Sequence, residues 1–365
     1  TYKPMNTAGS LRATELAKGF SKMGHNVKIL TPYDEDAHSD FAKEYNVRFQ
    51  DLGQPKFKNV ELKGEGIERL VRRALIRFPK LLFEYPDIEL MWLVKNALKM
   101  ESGYDLMISV AVPYPVHWGV VWSRTKKNKI AETWVADCGD PYFGAENDSF
   151  RKPFYFSFIE KWFCRETDFI AVPFEGAKTA YFSEFIDKMR VIPQGFTFPD
   201  NIKYDIQKKT DYPVFAYVGN IGSYLHYAIP FFELLNSVEK PFKFIVYTKE
   251  PEIFKKHLSA EALSSCELRG YVERETLFKE LADVNFLIHF PYENNTQRSL
   301  KLIDYAFMNK PILSFKNDMD SRKALKQFLN FKYSNQLNIE NPEQYKIMNV
   351  CNRFLMLQDE IDSNE

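Results

Sequence analysis

The residues best suited to chemistry lie near the C-terminal end, in the run from 293 to 311. Arg298, Ser299, Lys301 and Asp304 fall there, between two apolar strand-like segments at 284–290 and 311–315. Between those segments the pattern changes from a polar loop to a short amphipathic helix beginning near Ser299. A loop entering a helix at the end of a buried parallel strand directs unsatisfied backbone N–H groups into a crevice, and such a crevice accepts an anion. Arg298 and Lys301 add side-chain charge, and Asp304 lies about one turn beyond Lys301 on the same face. Two cations, a helix N-terminus and a carboxylate suit a ligand with a phosphate part and a hydroxyl-rich part. A nucleotide sugar has both. A solvated turn with a surface ion pair is the plainer alternative.

The elements that would position these residues alternate along the whole chain. After a polar start come a helix at 12–23, a Gly24-His25-Asn26 cap and a strand at 27–31. An α/β domain ordinarily opens with a strand ahead of such a loop. The chain starts on Thr1 and not Met, and the expectation is that an opening strand has been lost ahead of it. A strand at 47–52, helices at 67–83 and 88–100, and a buried strand at 105–110 follow. Pro113 to His117 begins another helix. Next are a strand at 133–137, a helix at 154–166, a strand at 169–172, a helix at 176–182 and a strand at 190–192.

The polar stretch 196–212 reads as a linker. A second series begins behind it, with a strand at 214–218, a helix at 229–237, a strand at 242–247, a helix at 251–257, a strand at 267–271 and a helix at 275–282. The tail at 342–359 is helical by period. Two such series predict an α/β chain of two Rossmann-like, doubly wound domains facing each other across a cleft. The first would span 1–196, joined by a C-terminal helix at 342–360, and the second 213–341.

Composition narrows the class. The 365 residues suffice for two cores, and 45% apolar content with 49 basic against 49 acidic residues describes a soluble globular protein. Zero net charge argues against a general nucleic-acid partner. Cys138, Cys164, Cys266 and Cys351 are far apart without metal-ligand spacing, and read as buried free thiols of a reducing cytoplasm. No apolar run approaches the roughly 18 residues of a membrane span, and no signal-peptide pattern is present.

The order of several motifs resembles the retaining glycosyltransferases of the GT-B fold, in the large family 4 group. Ala8-Gly9-Ser10-Leu11-Arg12 with Glu15-Leu16-Ala17-Lys18-Gly19 is similar to that family's first loop and helix. Trp134-Val135-Ala136-Asp137 and Asp140-Pro141 resemble a subgroup with Asp-Pro after this strand. Val191-Ile192-Pro193-Gln194-Gly195-Phe196 resembles the end of the family's first domain. Gly270-Tyr271-Val272, Ser299-x-Lys301-x-x-Asp304-Tyr305 and Lys310-Pro311-Ile312 match its second domain. The resemblance covers nearly the whole chain.

It implies a nucleotide-diphosphate sugar as donor substrate, with no further cofactor and no metal required. Gly9 would allow close approach to a phosphate or sugar, or is an ordinary turn glycine. Arg298, Ser299, Leu300 and Lys301 would hold the departing diphosphate. Asp304 stands at the second acidic position of the family's E-x7-E pattern and would accept from the ribose. Thr296 replaces the first Glu, and Glu293 or a backbone group would take over the sugar contact. The loop after Gly219, with Asn220, lacks the basic pair many relatives carry. Lys249 is the candidate to supply that charge, and a solvated loop lysine is its alternative. Tyr271 and Val272 complete the donor set. His117 would contact the transferred sugar or is a packed histidine. Asp140 would bind acceptor hydroxyls, serve as base, or simply shape a turn. No side-chain nucleophile is named, because in the front-side mechanism proposed for the family the leaving phosphate helps deprotonate the acceptor.

Asp34-Glu35-Asp36 is a D-x-D in a charged loop and is not read as a metal site; the histidines show no paired ligand spacing. Residues 67–83 set Arg69, Arg72, Arg73, Arg77 and Lys80 among apolar side chains, which suits either a basic helix lying on the inner membrane face or a domain helix with a solvated basic side. The reading is a cytoplasmic glycosyltransferase acting on a surface polysaccharide or a lipid-linked glycan. A GT-B nucleotide-sugar epimerase and a catalytically weak sugar-nucleotide-binding protein are the rivals. A dinucleotide-linked dehydrogenase is disfavoured because no G-x-G-x-x-G follows a strand.

Overall fold

A computed structural model of the chain describes residues 8–58, 66–125, 128–145, 151–198, 210–292 and 299–362. It divides into two compact units, Thr1–Thr197 with Glu343–Glu365, and Phe198–Pro342.

The first unit contains α1 (Ala8–Lys22), β1 (Lys28–Thr31), α2 (Glu35–Tyr45), β2 (Arg48–Asp51), α3 (Gly66–Phe83) and α4 (Glu89–Leu98). It continues through β3 (Tyr104–Ala111), α5 (Pro115–Ser123), β4 (Ala131–Cys138), α6 (Tyr155–Glu166), β5 (Phe169–Val172) and β6 (Met189–Val191). The second unit holds β7 (Val214–Val218), α7 (Leu225–Asn236), β8 (Lys243–Tyr247), α8 (Pro251–His257), α9 (Ala260–Ser264) and β9 (Cys266–Arg269). It ends with α10 (Arg274–Leu281), β10 (Phe286–His289), α11 (Lys301–Met308), β11 (Ile312–Ser314) and α12 (Met319–Phe328). The chain then returns to the first unit as α13 (Ile347–Asp362).

In the first unit β3-β4-β5-β6 form a parallel sheet, with Tyr104 opposite Ala131 and Ala111 opposite Cys138; β1 and β2 pair separately. The buried face of α13 closes this unit, packing Val350, Phe354 and Leu357 with Leu16 and Phe20 of α1 against Val135 and Ala171 of the sheet. Arg12 fixes α1 at the strand ends. Its Nε lies 2.8 Å from Asp137 Oδ2 and its Nη2 3.0 Å from Oδ1, and its guanidinium also donates to the carbonyls of Ile192 and Pro193. Both side chains are buried, so each charge depends on the other.

The second sheet runs β11-β10-β7-β8-β9, with every pair parallel. Phenylalanine makes its core. The Phe215 ring stacks on Phe286 at 4.7 Å and on Phe244 at 4.8 Å, and Phe231 meets Phe290 and Phe315 edge-on. The chain leaves β7 toward β8 on one side and enters β10 on the other, so β7 and β10 flank the topological switch point. That is where open parallel sheets bind ligands.

Several expectations change. Asp34 does not lie in a charged loop but caps α2, its carboxylate accepting from the Ala37 N–H at 3.2 Å, because a helix N-terminus favours acidic residues. The predicted helix at 176–182 is a 3-10 turn over Glu175–Ala180, since Gly176 and Thr179 weaken an already short segment. The expected linker is anchored at both described ends: Phe196 bridges to Lys346, and Phe198 stacks on Phe307; residues 199–209 lie outside the described residues. Cys266 is half-buried, its thiol donating to the Ala262 carbonyl.

Replacing Arg12 with Ala strands the Asp137 carboxylate. Urea unfolding should show a loss of about 3–5 kcal/mol; a loss below about 1 kcal/mol would show that solvent or a neighbour already satisfies Asp137.

Candidate functional site

Lys301 opens α11, with Ser299 and Leu300 immediately before it. Its side chain folds down into the second unit. Nζ lies 3.1 Å from the Tyr217 hydroxyl, 4.6 Å from the centre of the Tyr217 ring and 5.6 Å from that of Tyr224. This approach requires a glycine at 219. A Cβ built there would stand 2.4 Å from Nζ, and Gly219 holds a positive φ of 115° that other residues rarely adopt. Desolvation lowers the Lys301 pKa to about 8, against an opposing pull from the Glu250 carboxylate.

Glu250 is the residue that sequence reasoning passed over. Its Oε2 accepts from the Ile221 N–H at 2.7 Å and the Gly222 N–H at 2.9 Å. The loop after β7 thus has a carboxylate where an anion is favoured. His289, at the C-terminal end of β10, was also missed. It is buried, with Nδ1 3.2 Å from Ser314 Oγ, and desolvation together with the Lys301 and Lys316 charges lowers its pKa to about 4. It is therefore neutral at physiological pH and adds no charge beside Lys301.

The remaining second-unit candidates cluster at the same sheet edge. Asn220 Oδ1 accepts from the Lys249 N–H at 3.2 Å, and the Lys249 ammonium lies 5.8 Å from the ring of Tyr271, which is exposed. Val272, with Val218 and Leu302, packs against the apolar cluster that includes Tyr247 and Tyr305. Asp304 does not turn toward Lys301. Its Oδ1 accepts from Arg274 Nε at 2.8 Å and from Nη2, while the Arg274 guanidinium covers the Phe198 ring. Desolvation raises the Asp304 pKa and Arg274 opposes that rise. Arg274 follows Val272 by two positions, but no motif marked it. Glu293, Thr296 and Arg298 lie outside the described residues.

The three candidates of the first unit have different surroundings. Gly9 lies in the first turn of α1, and a Cβ there would meet the Val112 carbonyl at 3.1 Å. The close approach that its missing side chain permits is thus to protein backbone. His117 is fully enclosed. Its Nδ1 is 2.8 Å from Ser109 Oγ, its Nε2 is 3.6 Å from Cys138 Sγ, and burial drives its pKa to about 3. A neutral histidine with both nitrogens engaged and no exposed surface has the features of the packed-histidine alternative. Asp140 keeps an exposed side chain, while the Tyr114 and Tyr181 hydroxyls hold its carbonyl; partial desolvation raises its carboxyl pKa.

Two doubly wound parallel units define the GT-B fold of glycosyltransferases, and the chain has that fold. A glycosyltransferase from Rickettsia africae matches at a TM-score of 0.60 and 12% identity, covering 100% of this chain and 98% of that chain. The lipopolysaccharide outer core galactosyltransferase WaaB, in apo form, matches at 0.59 and 12% identity, covering 98% of each. HepE from Anabaena, solved in complex with UDP and glucose, matches at 0.52 and 12% identity, covering 100% of this chain and 97% of that chain. No family model and no curated protein sequence matches.

The Lys301 environment is directly measurable. In an NMR titration of the labelled lysine side chains, the Lys301 amine should lose its proton near pH 8. In Glu250→Gln the midpoint should fall, because the Glu250 charge that favours the ammonium is gone. A wild-type midpoint above about 10, near the free lysine value, would mean that the amine is solvated.

Proposed function

We propose that the chain is a glycosyltransferase that moves a sugar from a nucleotide-diphosphate sugar to a hydroxyl acceptor, with retention. The acceptor in this reading is a growing polysaccharide or a lipid-linked glycan. The observation that carries it is Lys301, a partly buried cation at the start of a helix beside the switch point of a GT-B unit. HepE, with the same fold, was solved with UDP and glucose and also with UDP-glucose. That supports a nucleotide-sugar donor here.

The chemistry follows from where charge develops. As the sugar–phosphate bond breaks, negative charge grows on the leaving diphosphate. An ammonium held in a dry, aromatic setting beside a helix N-terminus stabilises that charge more than water would. Lys301 is charged below pH about 8 and neutral above it, so transfer should weaken as pH rises through that value. Glu250 already fills the Ile221 and Gly222 N–H groups. The phosphates therefore belong on the α11 side of the crevice in this reading, with Ser299 and Leu300 lending backbone donors. Asp304, oriented by Arg274, accepts from the ribose hydroxyls. Lys249 and Tyr271 stand at the exposed rim, where an aromatic ring can cover a base. On the acceptor side, Asp140 with its raised pKa binds acceptor hydroxyls or takes the acceptor proton.

The test is incubation with UDP-, GDP- and ADP-sugars. Slow release of nucleoside diphosphate from one of them supports transfer. Interconversion of the sugar would replace it with an epimerase, and binding without turnover with a sugar-nucleotide-binding protein. Lys301→Ala should lower the rate by about 10²–10³-fold while leaving the fold intact. Asp304→Ala should weaken nucleotide binding by about 1.5–3 kcal/mol. Unchanged nucleotide affinity in both variants would remove the donor site from this crevice.

A further inference from the structure

Helix α3 turns its apolar stripe outward. No residue of it is buried. Yet Ile67, Leu70, Val71, Leu75, Phe78 and Leu82 recur at the three- and four-residue spacing that forms one helix face, and all are exposed, Phe78 by 55%. Arg72, Ile76 and Pro79, on the opposite side, are half-buried, as are Ala74 and Leu81 beside the stripe. Most of the apolar side of α3 is thus left to solvent.

The end of α3 meets the start of a second helix that also carries exposed aromatics. The Tyr155 hydroxyl at the start of α6 donates to the Leu82 carbonyl, and Lys152 pairs with Glu84, so α3 ends against α6. Phe154, Phe158 and Trp162 follow at four-residue spacing, with Phe154 exposed by 75% and Phe158 by 65%. On the other side of α6, Phe156, Glu160 and Phe163 are buried. The exposed aromatics are thus a surplus beyond what packing in this unit needs. Two neighbouring helices with this much exposed apolar surface mark an interaction site.

Charge selects the partner. The chain is neutral overall, but α3 carries Arg69, Arg72, Arg73, Arg77 and Lys80 against Glu68 alone. Glu68 pairs with Arg72, and Asp87 outside the helix pairs with Lys80, while the helix's own residues keep a net positive charge. A second copy of the chain would bring the same cations to the contact and be repelled. An apolar stripe flanked by arginines fits a surface that is anionic at its boundary and hydrocarbon beneath.

We propose that α3 and α6 together form a docking face for an anionic lipid bilayer, with the phenylalanines and Trp162 at the acyl boundary and the arginines among the headgroups. This extends the sequence expectation for 67–83 to a two-helix face. It does not depend on the donor-site reading: a chain that binds vesicles but no nucleotide keeps this face and loses that site. Among the described residues no helix is long and apolar enough to cross a membrane, so the contact is peripheral.

The test is co-sedimentation of the full chain with phosphatidylcholine vesicles, with and without phosphatidylglycerol, at low and high salt. Binding is expected on the anionic vesicles, weakened by salt. Phe78→Glu and Phe158→Glu should each lower the vesicle-bound fraction about tenfold, with unchanged thermal melting because both side chains are mostly exposed. No binding to anionic vesicles at low salt would overturn the proposal. So would binding that survives the double substitution, or loss in Phe78→Glu but not in Phe158→Glu. A concentration-dependent dimer abolished by these substitutions, without vesicle binding, would assign the face to a second copy.

Discussion

Holding an ammonium out of water is the constraint around which the second unit is arranged. Lys301 gives up much of its hydration, which shows in its lowered pKa, and receives only partial compensation from the Tyr217 hydroxyl and two aromatic faces. The surrounding elements each answer that cost. Gly219 makes room, β7 and β10 set the crevice at the switch point, and Glu250 supplies a distant opposite charge while it orders the loop at Ile221 and Gly222. His289 stays neutral and so adds no repulsion. Among the described residues no carboxylate pairs directly with Lys301, and a cation so placed gains from an anion.

The first unit solves a different problem with the same physics. Arg12 and Asp137 form a buried pair in which the guanidinium fork meets both carboxylate oxygens and the two remaining strand-end carbonyls. That pairing leaves little for a ligand, and it locks α1 to the sheet beneath α13. His117 is similarly satisfied between Ser109 and Cys138. Arg12 and His117, which look reactive in sequence, are here spent on structure.

The fold class was legible because alternating short strands and helices leave few other architectures. The strands Phe169–Val172 and Val214–Val218 and the helix Pro251–His257 stand where the pattern puts them. Helix α2 was not legible, because its acidic start reads equally as a charged loop until Asp34 is seen to cap it. For the site, the residue types near Lys301 carried information, but partnerships did not. Arg274 lies 30 positions from Asp304 and Glu250 29 from Ile221. No periodicity within a single element encodes such contacts. Burial was equally hidden for His117, since a histidine after a strand reads as ligand or packing until its neighbours are known.

The most direct measurement is hydrogen exchange by mass spectrometry on the intact chain, with and without UDP, GDP and ADP. One nucleotide should protect the loop after β7 at Gly219 to Gly222, the segment from Tyr271 to Arg274 and the start of α11 at Ser299 to Asp304, together and at one concentration. Protection confined to other segments, or none with any nucleotide at millimolar concentration, would contradict a donor site built on Lys301.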